Sequence, residues 1–175
     1  MKIINRLLVP ALGIALGIAL FMGSVPAFAQ THDWTSVGNN GRVSPASAFK
    51  ITWIGPTLRF LSTQTGTIVA RYPVTNTYGS GTSKTPPWTT FWATYKDNSA
   101  SGSVVAKLIE VDKCSGTETQ ICSITSADSS ANAQCSSCTF SSSTFDFANN
   151  TYYVEVTLSR TATSANEEIH SLAVN

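Results

Sequence analysis

The chain has 175 residues, of which 12% are charged, and its formal net charge at pH 7 is +1. Soluble domains usually have about 25% charged residues, and phosphate-binding surfaces need a concentrated basic face, which this sequence lacks. The composition therefore excludes nucleic acid and anionic membranes as expected partners. The composition also disfavours surface helices, because few charged residues are available to form the i,i+4 ion pairs that stabilise them.

The first 29 residues have the three-part layout of a cleaved secretory signal peptide. Lys2 and Arg6 form a basic start, residues 7–23 are apolar, and residues 27–29 (Ala-Phe-Ala) place small side chains at the −3 and −1 positions. This apolar run is shorter than the roughly 20 residues of a membrane-spanning helix, and no stop-transfer cluster follows it. The sequence predicts cleavage after residue 29, no membrane span in the mature chain, and a secreted or periplasmic location.

Residues 30–175 are expected to form a single domain. Removing 29 of the 175 residues leaves 146, which is an ordinary length for one domain. Without Lys2 and Arg6, nine of the eleven basic residues remain against ten acidic ones, so the mature charge is near −1. This balance again argues against nucleic acid as a partner.

Alternation of apolar and polar side chains predicts strands along most of this domain. The clearest is Thr151–Ser159, where every second side chain from Tyr152 to Leu158 is apolar. Eight further segments rich in β-branched and aromatic residues are also predicted to be strands: Phe49–Trp53, Thr57–Leu61, Thr67–Val74, Thr89–Lys96, Ser103–Val111, Thr119–Thr125, Cys138–Ser141 and Glu168–Val174.

Turn-forming residues separate these segments, and no mature stretch of ten or more residues carries an apolar stripe with helical spacing. Gly55-Pro56, Ser115-Gly116 and Asn149-Asn150 all fall between predicted strands. About eight or nine short strands with frequent turns indicate an all-β fold. We expect a two-sheet antiparallel sandwich, immunoglobulin-like or jelly-roll.

Four cysteines, Cys114, Cys122, Cys135 and Cys138, lie within one short window and allow three pairings. A hairpin between the flanking strands would bring Cys114 towards Cys122, which favours bridges 114–122 and 135–138. A crossed pairing, which would tie the 126–134 loop to the hairpin, remains open.

Zinc and redox chemistry are the functional alternatives for these cysteines. The window contains one close-spaced Cys-x-x-Cys pair, whereas zinc ribbons use two. No helix follows Cys138, as it would in a thioredoxin-type motif. We expect structural disulfides, no metal and no cofactor.

No motif predicts a catalytic centre. The two histidines, His32 and His170, lie near opposite ends of the mature chain, and neither a Gly-x-Ser-x-Gly elbow nor a His-Glu-x-x-His helix is present. No carboxylate pair is recognisable in an apolar setting, as a glycosidase would require. An enzyme is therefore less expected than a binding or structural protein.

The aromatic residues provide the one candidate binding site. If a strand begins at Trp88, then Trp88 and Trp92 share its outward face, while Phe91, Ala93 and Tyr95 point to the core. Flat indoles about 13 Å apart could stack on successive sugar rings. The preceding long loop brings Tyr78 as a third candidate.

Three functions follow from these observations. The first is a non-catalytic structural or interaction module of the cell exterior, whose partner would be another exported protein. The second is a carbohydrate-binding module that binds polysaccharide through Trp88, Trp92 and Tyr78. The third is an extracellular hydrolase.

Overall fold

The structure is a computed structural model that describes residues 33–78, 85–127 and 131–175. The predicted signal peptide, residues 1–29, lies outside the described residues. Within these ranges the chain forms eleven strands and two short 3₁₀ helices, Gly38–Asn40 and Pro45–Lys50. The strands are β1 (Trp34–Val37), β2 (Arg42–Val43), β3 (Ile51–Ile54), β4 (Thr57–Phe60), β5 (Gly66–Val74), β6 (Thr90–Lys96), β7 (Gly102–Asp112), β8 (Glu118–Thr125), β9 (Gln134–Thr139), β10 (Asn150–Arg160) and β11 (Glu168–Val174).

The strands pair into two antiparallel sheets. The first sheet has the order β3-β4-β11-β6-β9, with β1 also paired to β11, and the second has the order β2-β5-β10-β7-β8. The two-sheet all-β architecture predicted from the sequence is confirmed.

The core lies between the sheets and follows the alternation in the sequence. The core residues of β10 are Tyr152, Val154, Val156 and Leu158, all of which are buried. In the other sheet, β6 contributes Phe91, Ala93 and Tyr95, which are buried as predicted. Burial of each large side chain stabilises the fold by roughly 1.5–3 kcal/mol, so these two central strands hold the sheets together.

Eight of the nine predicted strands are present, with shifts of at most two residues at their ends, whereas the predicted strand Cys138–Ser141 was misplaced and overlaps β9 only at residues 138 and 139. The structure adds β1 and β2, which the sequence did not indicate because β1 has four residues and β2 has two. Such short strands are defined by their neighbours: β1 pairs with β11 and β2 with β5.

The preferred local disulfide pairing is wrong. The structure joins Cys122 of β8 to Cys138 of β9, with a Cα–Cα distance of 6.2 Å. Cys114 and Cys135 are free and exposed. The bridge therefore links an edge strand of one sheet to an edge strand of the other.

The register explains why the local bridges do not form. Cys122 pairs with Leu108, well inside the β7–β8 ladder, whereas Cys114 lies in the turn beyond the last pair, Val111 with Glu118. Cys135 and Cys138 are three residues apart in one extended strand, so their side chains point to opposite faces. Only Cys138 is directed between the sheets, opposite the core residue Phe91.

Candidate functional site

The outward face of the first sheet is formed by the side chains that alternate with the core residues, and we call it the first-sheet face. Its members follow from the strand register. They are Thr35, Val37, Thr52, Ile54, Thr57, Arg59, Thr90, Trp92, Thr94, Lys96, Cys135, Ser137, Thr139, Glu168, His170, Ser171 and Ala173.

Trp92 is the large aromatic side chain of this face and is 38% exposed. Its cross-strand partners are Ala173 on β11 and Ser137 on β9, so only small side chains flank the indole in the sheet. Its Nε1 donates to Oδ1 of Asn175 at 3.3 Å, which orients the ring. The flat surface of Trp92 is therefore held in place and open to a ligand.

A polar network lies on the same face, displaced along the strands from Trp92: Glu168 pairs with Lys96, which is four residues, or about 13 Å, from Trp92 along β6. Glu168 Oε1 accepts from Arg59 Nη1 at 3.3 Å and from Asn166 Nδ2 at 2.7 Å. Glu168 Oε2 lies 3.2 Å from Nε2 of His170, whose Nδ1 lies 3.4 Å from Thr57 Oγ1. The network fixes a guanidinium, an amide and an imidazole on the surface, where they can exchange hydrogen bonds with polar ligand groups.

A groove of about 350 Å³ continues the first-sheet face past this network. One wall is formed by Thr52, Ile54 and Arg59, and the other by the loop residues 163–166. The groove offers hydroxyl, amide and guanidinium groups together with the apolar side chain of Ile54. Its volume lies at the lower end of the range for small-molecule sites, about 300–1,000 Å³.

The prediction that Trp88 points outward is wrong. Trp88 is 3% exposed, and its ring makes edge contacts with Phe145 at 5.1 Å and Phe147 at 6.1 Å. Regular pairing starts only at Thr90, and the backbone N–H groups of Thr89 and Thr90 both donate to Asn175 O. The alternation of β6 therefore does not extend back to residue 88, and the predicted pair of outward tryptophans is not formed.

Tyr78 is half-buried, and its side chain packs against the hydrophobic core. The loop that follows it, residues 79–84, lies outside the described residues. Of the three aromatic residues predicted to bind a ligand, Trp92 is the one that stands on an open sheet face.

A second group of exposed apolar side chains was not predicted from the sequence. Four large hydrophobic side chains around edge strand β3 are exposed, namely Phe49 at 62%, Trp53 at 52%, Ile54 at 53% and Leu61 at 38%. We call these four residues the β3 corner. Trp53 lies two residues after the core residue Ile51, on the same face of β3, and pairs with the buried Leu58, a position that favours burial. It is exposed because β3 is the edge of the sheet, and the order of strands was not readable from the sequence.

Carboxylate placement also differs from the expectation. Asp97 and Glu167, which belong to no recognisable pair in the sequence, are both 0% exposed and lie at the same end of the sandwich. Across the described ranges, no group of three or more His, Cys, Asp or Glu side chains is arranged to hold a metal. In the same ranges, no helix has the length and apolar character needed to cross a membrane.

No protein-family model matches the sequence, and no curated protein matches it. Among solved structures, the chain is similar to the xylan-binding module CBM15, with a TM-score of 0.48 and 14% identity over 82% of this chain and 95% of that one. It is also similar to a structure of infectious bursal disease virus, Gt strain (TM-score 0.39, 7% identity, 83% of this chain), and covers 33% of that viral chain. A CBM4 structure gives a TM-score of 0.35 and 10% identity over 85% of each chain. At these values the likeness assigns no ligand to this chain.

Proposed function

We propose that this protein is an exported, non-catalytic module that binds a neutral polysaccharide on its first-sheet face. The observation that carries the proposal is Trp92, an oriented indole on an open sheet face that also carries the network of Arg59, Glu168 and His170. An aromatic ring packs against the apolar face of a sugar ring, and nearby polar groups exchange hydrogen bonds with its hydroxyls.

The composition of the face supports a neutral ligand. Most side chains around Trp92 are short hydroxyl or alkyl groups, such as Thr35, Thr94 and Ser137. The charges of Arg59 and Glu168 are paired with each other at 3.3 Å. A strongly charged ligand would have to break that pair, whereas sugar hydroxyls can bond to it as it stands.

The dimensions of the face suit an extended chain. Five neighbouring strands from β3 to β9 span about 19 Å at the usual spacing. This width is several times that of one sugar ring, and both the groove beside Ile54 and the indole of Trp92 lie within it. The low TM-score of the likeness to a xylan-binding module gives it no weight in this proposal.

Export remains part of the proposal. The signal-peptide pattern of residues 1–29 supports it, and so does the Cys122–Cys138 disulfide, since such bonds persist in oxidising compartments. A hydrolase is not proposed. Asp97 and Glu167 form the carboxylate pair of the described residues, and their complete burial gives a substrate no access.

The proposal is tested by a glycan array and by pull-down with insoluble polysaccharides, using the mature chain. We expect retention on one or more neutral polysaccharides and its loss in Trp92→Ala. The matched control is Trp53→Ala, which removes an even more exposed indole from the β3 corner and is expected to retain binding. Absence of binding to every neutral glycan would refute the proposal, as would equal binding by Trp92→Ala.

A second function is favoured by the β3 corner. Its four exposed hydrophobic side chains surround an edge strand with free backbone hydrogen-bonding groups, and this combination is typical of sheet-to-sheet association. The protein would then be a structural or interaction module that assembles through β3. Light scattering at increasing concentration tests this: association that Ile54→Lys abolishes supports it, and a monomer at all concentrations contradicts it.

A further inference from the structure

Asp97 and Glu167 form a cross-strand pair that points into the sandwich. The β6–β11 ladder pairs Lys96 with Glu168, and just beyond it Asn98 Oδ1 accepts from the backbone N–H of Asn166 at 2.7 Å. Continuing this register places Asp97 directly opposite Glu167. Directly opposed residues have Cβ atoms about 5 Å apart, and like charges in such positions destabilise a sheet.

Both carboxylates are sealed between the two sheets. Each side chain is 0% exposed, and a Cβ atom added at Gly102 of β7 would overlap Oε1 of Glu167. Glu167 therefore reaches across the gap to the second sheet. From the same side, Ser126 Oγ donates to Asp97 Oδ2.

Glu167 lacks the partners that a buried carboxylate requires. Within the described residues, neither Oε1 nor Oε2 has a hydrogen-bond partner. Native structures leave few buried polar atoms unpaired, and such atoms often mark a bound water or ion. A buried, unpaired charge is costly in a low-dielectric interior.

The neighbouring cationic side chain, Arg160, forms its hydrogen bonds with other groups. Arg160 pairs with Gly102 in the ladder, but its guanidinium donates to the backbone carbonyls of Leu61, Gln64 and Ala165. It also stacks on the ring of Phe60 at 4.5 Å. Its charge acts on Glu167 only through space, and no hydrogen bond joins the two.

We propose that Asp97 and Glu167 bind a divalent cation, with Ca²⁺ as the preferred ion, and that this cation stabilises the end of the sandwich where the two sheets meet. The donor set is made of hard oxygens, which Ca²⁺ accepts from carboxylates, backbone carbonyls and water in flexible geometry. Two carboxylates neutralise its charge. Structural Zn²⁺ sites are built mainly from Cys and His side chains, whereas this pair consists of carboxylates.

A protonated, neutral Glu167 is the alternative to a bound cation at this buried pair. The pH dependence of stability separates the two explanations. Burial raises the pKa of Glu167 to about 7, with a further contribution from the charge of Asp97. The titratable or charged groups that face it are Asp97, directly after β6, and Arg160 from β10. Because the folded pKa is raised above the unfolded value, a metal-free protein loses stability as the pH rises through 7. A bound cation removes that loss.

The experiment measures thermal unfolding of the full chain at pH 8 in millimolar CaCl₂, in millimolar MgCl₂ and in EDTA. With Ca²⁺ at about 100 times its dissociation constant, the melting temperature of the wild type should rise by about 5–10 °C over EDTA. Mg²⁺ should act more weakly, because it demands a smaller octahedral site. In CaCl₂ the melting temperature should vary little between pH 6 and 8, whereas in EDTA it should fall.

Glu167→Gln is the deciding variant, because it removes the buried charge while keeping the side-chain shape. We expect it to fold, to melt in EDTA at or above the wild-type temperature, and to show no response to Ca²⁺. The matched control is Glu118→Gln, the same change at an exposed position, which should respond like the wild type. A wild type that ignores Ca²⁺ at pH 8 would overturn the proposal in favour of a protonated carboxyl. An equal Ca²⁺ response in Glu167→Gln would also overturn it, because the ion would then bind elsewhere.

Discussion

The outward faces of the two sheets each carry an aromatic residue on a central strand, yet only one of these rings is open. Trp92 on β6 is flanked by Ala173 and Ser137, whereas Tyr153 on β10 is flanked by Pro73 and Ile109. The guanidinium of Arg71 also lies 5.1 Å from the ring centroid of Tyr153. The comparison shows that cross-strand neighbours decide whether an outward aromatic can contact a ligand.

The charged groups of the two faces also differ in where they lie relative to the aromatic ring. On the second sheet, Arg71 forms an ion pair with Glu155 at 2.9 Å directly beside Tyr153, and burial raises the pKa of that tyrosine to about 12. The Tyr153 ring is thus packed against the side chains of its own face. On the first sheet, the polar network lies further along the strands, opposite Lys96 rather than Trp92, and leaves the indole uncovered.

The largest expected effect comes from separating the edges of the two sheets. The double change Cys122→Ser and Cys138→Ser removes a bridge with a sequence separation of 16, and loops of this size contribute about 3 kcal/mol of stability. We expect urea unfolding to show that loss. Because β9 pairs only with β6 in its sheet, we also expect weaker polysaccharide binding.

The free cysteines provide the control for this loss. Cys114→Ser and Cys135→Ser together should change the free energy of unfolding by less than about 0.5 kcal/mol, as exposed substitutions usually do. If this pair destabilises the protein as much as the bridged pair, the disulfide assignment is wrong.

Truncating each aromatic in turn should separate binding from stability. Tyr153→Ala should lower the free energy of unfolding by about 2 kcal/mol, because a half-buried ring and its contact with Arg71 are lost. Its affinity for polysaccharide should be unchanged. Trp92→Ala should lower affinity at least tenfold, or about 1.4 kcal/mol, with a smaller effect on stability. Affinity electrophoresis and urea unfolding measure the two quantities, and matching effects in both variants would erase the distinction between the faces.

Disturbing the polar network should weaken binding more modestly. Arg59→Ala removes a donor from the first-sheet face and leaves Glu168 with the Asn166 bond and the His170 contact. We expect a loss of affinity of about fivefold, which corresponds to roughly 1 kcal/mol. Isothermal titration with a soluble oligosaccharide measures it. Unchanged affinity would mean that the ligand is bound by Trp92 without this network.

The smallest effect is expected from Arg71→Ala on the second sheet. The ion pair with Glu155 is exposed on the arginine side, and such pairs contribute less than about 1 kcal/mol. Affinity for polysaccharide should remain that of the wild type. A clear loss of binding would place the ligand on the second sheet and reverse the comparison.

Several of these features could be predicted from the sequence because they depend on local alternation. The inward residues of β6 and β10 followed from a period of two, and so did the outward position of Trp92. Trp88 was misplaced because alternation does not reveal where a strand begins. The Cys122–Cys138 bridge and the Asp97–Glu167 pair depend on which strands become neighbours, and this information is distributed over the whole chain.

The most direct test of the account is two-dimensional ¹⁵N–¹H NMR of the mature protein titrated with a soluble oligosaccharide selected on the array. We expect the largest chemical-shift changes at the indole N–H of Trp92 and at the backbone of β6, β9 and β11. The indole N–H of the buried Trp88 should stay constant. Shifts concentrated on β5, β7 and β10 of the second sheet, or no shifts at saturating sugar, would contradict the proposal that the first-sheet face binds the ligand.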